Sequence, residues 1–137
     1  MIVVLDTSVL VAAIRSQRGA SAELMRSFAA GVFDIAISVP LVFEYEEVVL
    51  RDLVPAFITQ ADLSLLINFL CQNGQQIQPA PALRPALPDA DDDFILELAV
   101  AAGVRFVVTH NVRDFAGVSG IEAIRPGDFL RVLRGNK

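Results

Sequence analysis

The sequence has little sulfur, little imidazole and few bases: one cysteine, one histidine and 11 Lys and Arg in 137 residues, with no tryptophan. A lone thiol, Cys71, excludes an intrachain disulfide and a thiolate zinc site. It sits in the apolar helical pattern Leu65-Leu66-Ile67-Asn68-Phe69-Leu70-Cys71, where it reads as a small buried hydrophobe. The lone His110 cannot make a metal site by itself, and its two readings are a substrate contact and a loop residue hydrogen-bonded locally. No run approaches the roughly 18 to 20 apolar residues of a membrane span. Asp6 interrupts the N-terminal apolar stretch where a signal peptide needs continuity, so a cytoplasmic location is expected. The 16 acids outnumber the bases and leave a net charge of −5, which weighs against sequence-independent binding to phosphates.

The distribution of charge softens that objection. Five acids and no base fall between Asp89 and Glu97, whereas Arg125, Arg131, Arg134 and Lys137 face only Asp128 in the last 13 residues. Divalent cations would cancel much of the first cluster, and Arg15, Arg18 and Arg113 are near the other acids in sequence. A guided encounter with a polyanion therefore stays open.

What the chain has in quantity is apolar residues, 54% of the total, enough for one real core in a single domain spanning residues 1–137. Short apolar runs alternate with helical patterns. Ile2 to Leu5 reads as a fully apolar strand, and Thr7 to Ile14 as a helix with Thr7 or Ser8 as its cap. A second helix runs from Ser21 to about Ala30 and stops at Gly31. Phe33 to Ser38 is a second strand, and Ser38 and Pro40 open a helix to about Arg51. Pro55 precedes a helix from about Thr59 to Gln72, and Gln75 to Gln78 forms a third strand. The proline-rich stretch 79–88 is neither helix nor inner strand. Asp92 to Ala102 is a helix stopped by Gly103, Val104 to Thr109 and Ile121 to Ile124 are strands, and Pro126 begins the last helix. Such alternation predicts a three-layer α/β/α fold around a mostly parallel sheet of about five strands.

Against this apolar background the placement of four acids is informative. Asp6 follows four apolar residues, Glu44 lies in a helix, Asp92 falls in the run Asp89 to Asp93, and Asp114 comes just after the fourth strand. Burying an unpaired charge costs several kcal/mol or more, so carboxylates at the ends of core elements suggest a shared cation. Oxygen donors from several elements suit Mg²⁺ or Mn²⁺ and phosphoryl chemistry. In parallel sheets ligands bind beyond the carboxyl ends of the strands, which is where Asp6 and Asp114 fall.

Helix phase selects among the rest. Leu41, Tyr45, Val48 and Val49 form one stripe at about 100° per residue; Glu44 borders it, and Glu46 and Glu47 turn away. Asp92 heads the stripe Ile95, Leu96 and Ala99, which leaves Asp91 and Asp93 for a cap and a solvated or supporting group. Each acid alone has a plain alternative as cap or solvated residue, and Asp114 as a turn former.

The ordered set of pieces resembles the PIN domain, the nuclease fold of VapC-type toxins. Asp6-Thr7-Ser8, Glu44, Asp92 and Thr109-His110-Asn111-Val112-Arg113-Asp114-Phe115 carry the likeness. Arg18-Gly19-Ala20-Ser21, Ser38 to Val48, and Arg84-Pro85 leading into Asp89 to Asp93 are similar to a bacterial group of PIN-family toxins of toxin–antitoxin pairs.

The resemblance implies a Mg²⁺- or Mn²⁺-dependent endoribonuclease with Asp6, Glu44, Asp92 and Asp114 around the metal, cutting to a 5′-phosphate and a 3′-hydroxyl. Thr7, Ser8, Asp89, Asp93, Thr109 and Asn111 would support these ligands or meet substrate. Many PIN domains carry an acid two residues after the strand-end threonine; here that residue is Asn111, and Asp114 takes the role. The likeness further implies an RNA substrate, an antitoxin partner and a homodimer. Two other readings remain. A PIN-fold module without catalysis, holding RNA or protein, is one. Another Mg²⁺ phosphoryl-transfer hydrolase such as a haloacid-dehalogenase-like phosphatase is the other, although that family needs an acid where Ser8 stands.

Overall fold

The structure, a computed structural model, describes residues 1–79, 93–118 and 120–135. Five strands form one sheet: β1 Ile2–Leu5, β2 Asp34–Ile37, β3 Gln75–Gln76, β4 Phe106–Val108 and β5 Glu122–Ile124. Their order is β3-β2-β1-β4-β5, and every described pairing is parallel. Six α-helices lie among the described residues: α1 Thr7–Arg15, α2 Ala20–Ala29, α3 Val39–Asp52, α4 Gln60–Asn73, α5 Asp93–Ala102 and α6 Pro126–Leu133. A short 3₁₀ helix, Val112–Phe115, follows β4. No helix among the described residues is long and apolar enough to cross a membrane.

The expected strands and helices are present, and the sheet is parallel throughout. Consecutive strand residues point to opposite faces, yet Val3, Val4 and Leu5 are all buried, as are Ile35, Ala36 and Ile37 and Phe106, Val107 and Val108. Both faces are therefore covered, which explains why these strands are continuous apolar runs rather than alternating ones. Helix α5 lies against β1 and β2, while α1 packs on α2 and α3, α3 on α4, and α2 on α6. In α3 the buried stripe is Leu41, Tyr45 and Val49, and in α5 it is Ile95, Leu96, Leu98 and Ala99, close to the predicted faces. Phe28, Phe33, Phe106 and Phe129 add tilted and edge-on ring contacts that tie α2 and α6 to the strands.

Local chemistry sets most boundaries. Ser38 Oγ accepts from the Leu41 N–H at 3.4 Å and Pro40 occupies the first turn, so α3 starts directly after β2. Thr59 caps α4 in the same way, accepting from the Asp62 N–H at 3.1 Å. Gly74 joins α4 to β3 so tightly that a Cβ there would meet the Leu70 carbonyl oxygen at 2.8 Å and Ile37 Cδ1 at 3.1 Å. The strand it leads into is only two residues long.

Two expectations are corrected. Neither Thr7 nor Ser8 caps α1: the cap position belongs to Asp6, and both hydroxyls turn to carboxylates instead. Cys71 is half-buried at the margin of the core, not enclosed by it.

Candidate functional site

The strand order places β2 on one side of β1 and β4 on the other, so the chain reverses its direction of winding at the carboxyl end of β1. Such a switch leaves a crevice between diverging connections. Pairing of Leu5 with Val108, and of Val108 with Ile124, brings the ends of β1, β4 and β5 level. The next residues are Asp6 and Thr109; Asp6 donates its N–H to the Val108 carbonyl at 2.9 Å, and Thr109 its N–H to Ile124 at 2.9 Å. Both are fixed by backbone as continuations of the ladder.

Asp6 is only 6% exposed and Thr109 fully buried. The Asp6 Oδ2 accepts two hydroxyl donors, Ser8 Oγ at 2.8 Å and Thr109 Oγ1 at 2.7 Å. Each hydroxyl in turn accepts a backbone N–H: Ser8 from His110 at 3.1 Å and Thr109 from Asn111 at 2.9 Å. A carboxylate held by two polarised hydroxyls on one oxygen is fixed in orientation. Among the described residues the ion pairs are Arg51–Asp52, Arg105–Glu122, Arg131–Asp128 and Arg134–Glu23, and none reaches Asp6.

Glu44 enters from α3. The Tyr45 hydroxyl, beneath the cleft, donates to the Leu5 carbonyl oxygen, fastening α3 to the last residue of β1. One residue earlier on the helix, Glu44 is half-buried and accepts from Thr7 Oγ1. Burial, then the charges of Asp6 and Glu44, push the Tyr45 phenol well above its ordinary pKa, so the ring stays neutral beneath the acids. Glu46 and Glu47 are exposed.

These residues line one cleft of about 460 Å³ with Asp6, Thr7, Ser8, Glu44, Asn111 and Asp114 on its walls. Arg15, His110, Val11, Ala12 and Val48 complete it. Asp114 lies in the 3₁₀ turn, which the Asp114 N–H closes on the Asn111 carbonyl at 3.0 Å, with the neighbouring Phe115 buried as its anchor. Its carboxylate is exposed, unlike that of Asp6. Of the predicted acids, Asp6, Glu44 and Asp114 share the cleft. Asp89 and Asp92 lie outside the described residues, and Asp93 is described only as the first residue of α5. Of the arginines near the acids in sequence, Arg15 reaches the cleft, its guanidinium stacked 5.4 Å from the centre of the Phe57 ring.

The donors are all hard oxygens, the class that Mg²⁺ and Mn²⁺ prefer. Among the described residues no three acids, histidines or cysteines converge into a ready metal cage. That is compatible with Mg²⁺, which keeps several waters and binds through one or two carboxylates plus substrate phosphate.

Sequence reading missed two participants. Tyr45 was placed on the core stripe, and only the structure gives it the Leu5 carbonyl as partner. Ser21, 3% exposed, meets His110 Nε2 at 2.9 Å. Its partner is 89 positions away, so no local pattern announces it. His110 is therefore bonded across the fold, not locally.

A buried acid at the switch point, two supporting hydroxyls and further acids thus share one crevice. The chain belongs to the PIN-domain family: a sequence profile described as the PIN domain matches residues 2–113. Its fold is VapC-like. The fold is similar to a chain in the crystal structure of VapBC2 from Rickettsia felis bound to a DNA fragment from their promoter. The TM-score is 0.62 at 19% identity, covering 91% of this chain and 98% of that one. It is equally similar to VapBC-1 from nontypeable Haemophilus influenzae, at 15% identity and TM-score 0.62, over 93% and 99% of the two chains. No protein of curated function matches the sequence.

Proposed function

We propose that this PIN domain is a Mg²⁺- or Mn²⁺-dependent endoribonuclease and the toxin of a toxin–antitoxin pair. The observation that carries the reading is Asp6: a buried carboxylate at the strand-order switch, held on one oxygen by Ser8 and Thr109 and facing a cleft shared with Glu44 and Asp114. Asp6, Glu44 and Asp114 would hold the cation, with Asp92 as the fourth acid on the strength of the sequence resemblance. When bound, such a cation supplies Lewis-acid stabilisation of the charge that builds on the phosphate.

The chain's own residues prepare the site for that charge. Ser8 and Thr109 fix the Asp6 carboxylate in one orientation and share its charge through two hydrogen bonds. Thr7 orients Glu44, and the Tyr45 contact to Leu5 holds α3 at the distance that keeps Glu44 over the cleft. Arg15 brings a positive charge to an otherwise acidic wall, where a phosphate backbone needs one.

An acidic cleft of this kind attracts a basic peptide segment. That supports inhibition by an antitoxin, as does the fold's similarity to chains of VapBC structures. A homodimer in the cytoplasm completes the proposal.

The test is cleavage of a mixed RNA pool by purified protein with Mn²⁺, with Mg²⁺ and with chelator, beside Asp6→Asn prepared identically. Cleavage that needs both metal and Asp6 is expected. Activity that persists undiminished in Asp6→Asn would overturn the site. Metal binding without any cleavage would favour a silent binding module.

A further inference from the structure

The side chains of Ser21 and His110 bond each other and neither bonds an acid. Ser21 lies in the first turn of α2 and is almost fully buried. A serine in that position commonly turns its hydroxyl to nearby backbone. Here it reaches across the fold to His110 Nε2 at 2.9 Å. His110 is also held from below, because its backbone N–H donates to Ser8 Oγ, the hydroxyl that braces Asp6. The only histidine of the chain is thus fixed at backbone and ring, while the residue itself remains exposed and lines the acid cleft. With Nε2 engaged, Nδ1 is the ring atom left for a ligand. When Ser21 donates to Nε2, the neutral ring carries its proton on Nδ1 and presents a hydrogen-bond donor.

We infer that His110 contacts a non-bridging phosphate oxygen of an RNA strand lying in the cleft, and that Ser21 is the positioning residue that aims its ring. The inference rests on the ribonuclease reading above and adds a substrate contact to it. Asp6, Glu44 and Asp114 repel a polyanion, so a donor placed in advance on the same wall is worth most for holding the strand. A freely rotating imidazole would have to be ordered with each binding event; the Ser21 bond has already done so.

The experiment combines a double-mutant cycle with a binding measurement. Cleavage of a single-stranded RNA with Mn²⁺ is followed for wild type, Ser21→Ala, His110→Ala, the double variant and Ser21→Thr, each checked for unchanged thermal unfolding. His110→Ala should raise KM about tenfold, the scale of one charge-assisted hydrogen bond, with a smaller change in kcat. Ser21→Ala should produce part of that effect, the double variant no more than His110→Ala alone, and Ser21→Thr should restore wild-type KM. In parallel, affinity for a fluorescent RNA oligonucleotide is measured in the Asp6→Asn background with and without His110→Ala. A tenfold weakening there supports the contact whether or not cleavage is seen. Absence of wild-type cleavage would count against the nuclease reading alone. Unchanged KM in both single variants together with unchanged affinity on His110→Ala would overturn the inference, and additive effects of the two on KM would overturn the positioning role of Ser21.

Discussion

The carboxyl edge of the sheet carries two hollows that differ in how many acids they gather among the described residues, three in one and one in the other. Above β1 and β4 the cleft of about 460 Å³ is walled by Asp6, Glu44 and Asp114 and lies over hydroxyls with defined partners. Beyond β2 and β3 a hollow of about 640 Å³ is lined by Val39, Pro40, Ile77 and Pro79, with Ser38, Gln76, Gln78 and one acid, Glu97, as its described polar members. Phe43, 66% exposed, stands in the adjoining apolar recess with Val42 and Cys71. Both sit where parallel strands end, so strand ends alone do not make a chemical site. The first lies at the reversal of strand order and is entered by residues from α1, α3 and the turn after β4. The second lies toward the edge of the sheet, where Ser38 spends its hydroxyl on capping α3. What separates the two is which residue follows each strand and whether its polar group is already committed.

That contrast is sharpened most by substituting across it. Asp6→Asn should reduce RNA cleavage by about 10²-fold or more while thermal unfolding stays close to wild type, because a lost ligand charge harms cation binding more than the core. Phe43→Ser, in the apolar recess, should change cleavage by less than about twofold; equal losses in the two variants would erase the distinction between the hollows. Thr109→Val keeps the shape of the side chain and removes one of the two donors to Asp6 Oδ2. A loss of about 10- to 100-fold in activity or metal affinity is expected, measured by titrating Mn²⁺ against cleavage and by calorimetry.

A third comparison concerns stability. Tyr45→Phe deletes the bond to Leu5 and should cost about 1–3 kcal/mol in urea unfolding. The same residue sets a pH dependence. Its folded pKa is raised above 10.0, so its stabilising contribution is complete below about pH 10 and is lost as pH rises toward the folded value. Wild type should therefore lose about 1.4 kcal/mol per pH unit above pH 10, relative to Tyr45→Phe, in unfolding midpoints measured at each pH. Absorbance of the chain's single tyrosine follows the titration directly. The smallest effect belongs to Glu47→Gln, an exposed acid of α3 that does not line the cleft, where activity should stay within about twofold of wild type. A loss as deep as that of Asp6→Asn would show that the cleft face of α3 is misassigned.

Much of this could be read in the residues. Continuous apolar runs such as Ile2 to Leu5 are what strands covered on both faces require, and the stripe Leu41, Tyr45, Val49 follows from helix geometry. That same phase separated Glu44 from Glu46 and Glu47. A supporting role for Thr7, Ser8 and Thr109 was legible from their nearness to the acids, but the pairing was not: Ser8 bonds Asp6 two residues away, whereas Thr7 reaches Glu44 and Thr109 reaches Asp6 across the fold.

The sequence by itself determined the alternation of strands and helices, the parallel sheet and the position of Asp6 at the end of β1, since these follow from periodicity and local backbone chemistry. Only the tertiary structure decided that Thr109 would sit beside Asp6, that Tyr45 would fasten α3 to β1 and that Ser21 would meet His110. Those contacts span 103, 40 and 89 positions. Their partners are chosen by strand order and register, which set the ends of distant segments side by side.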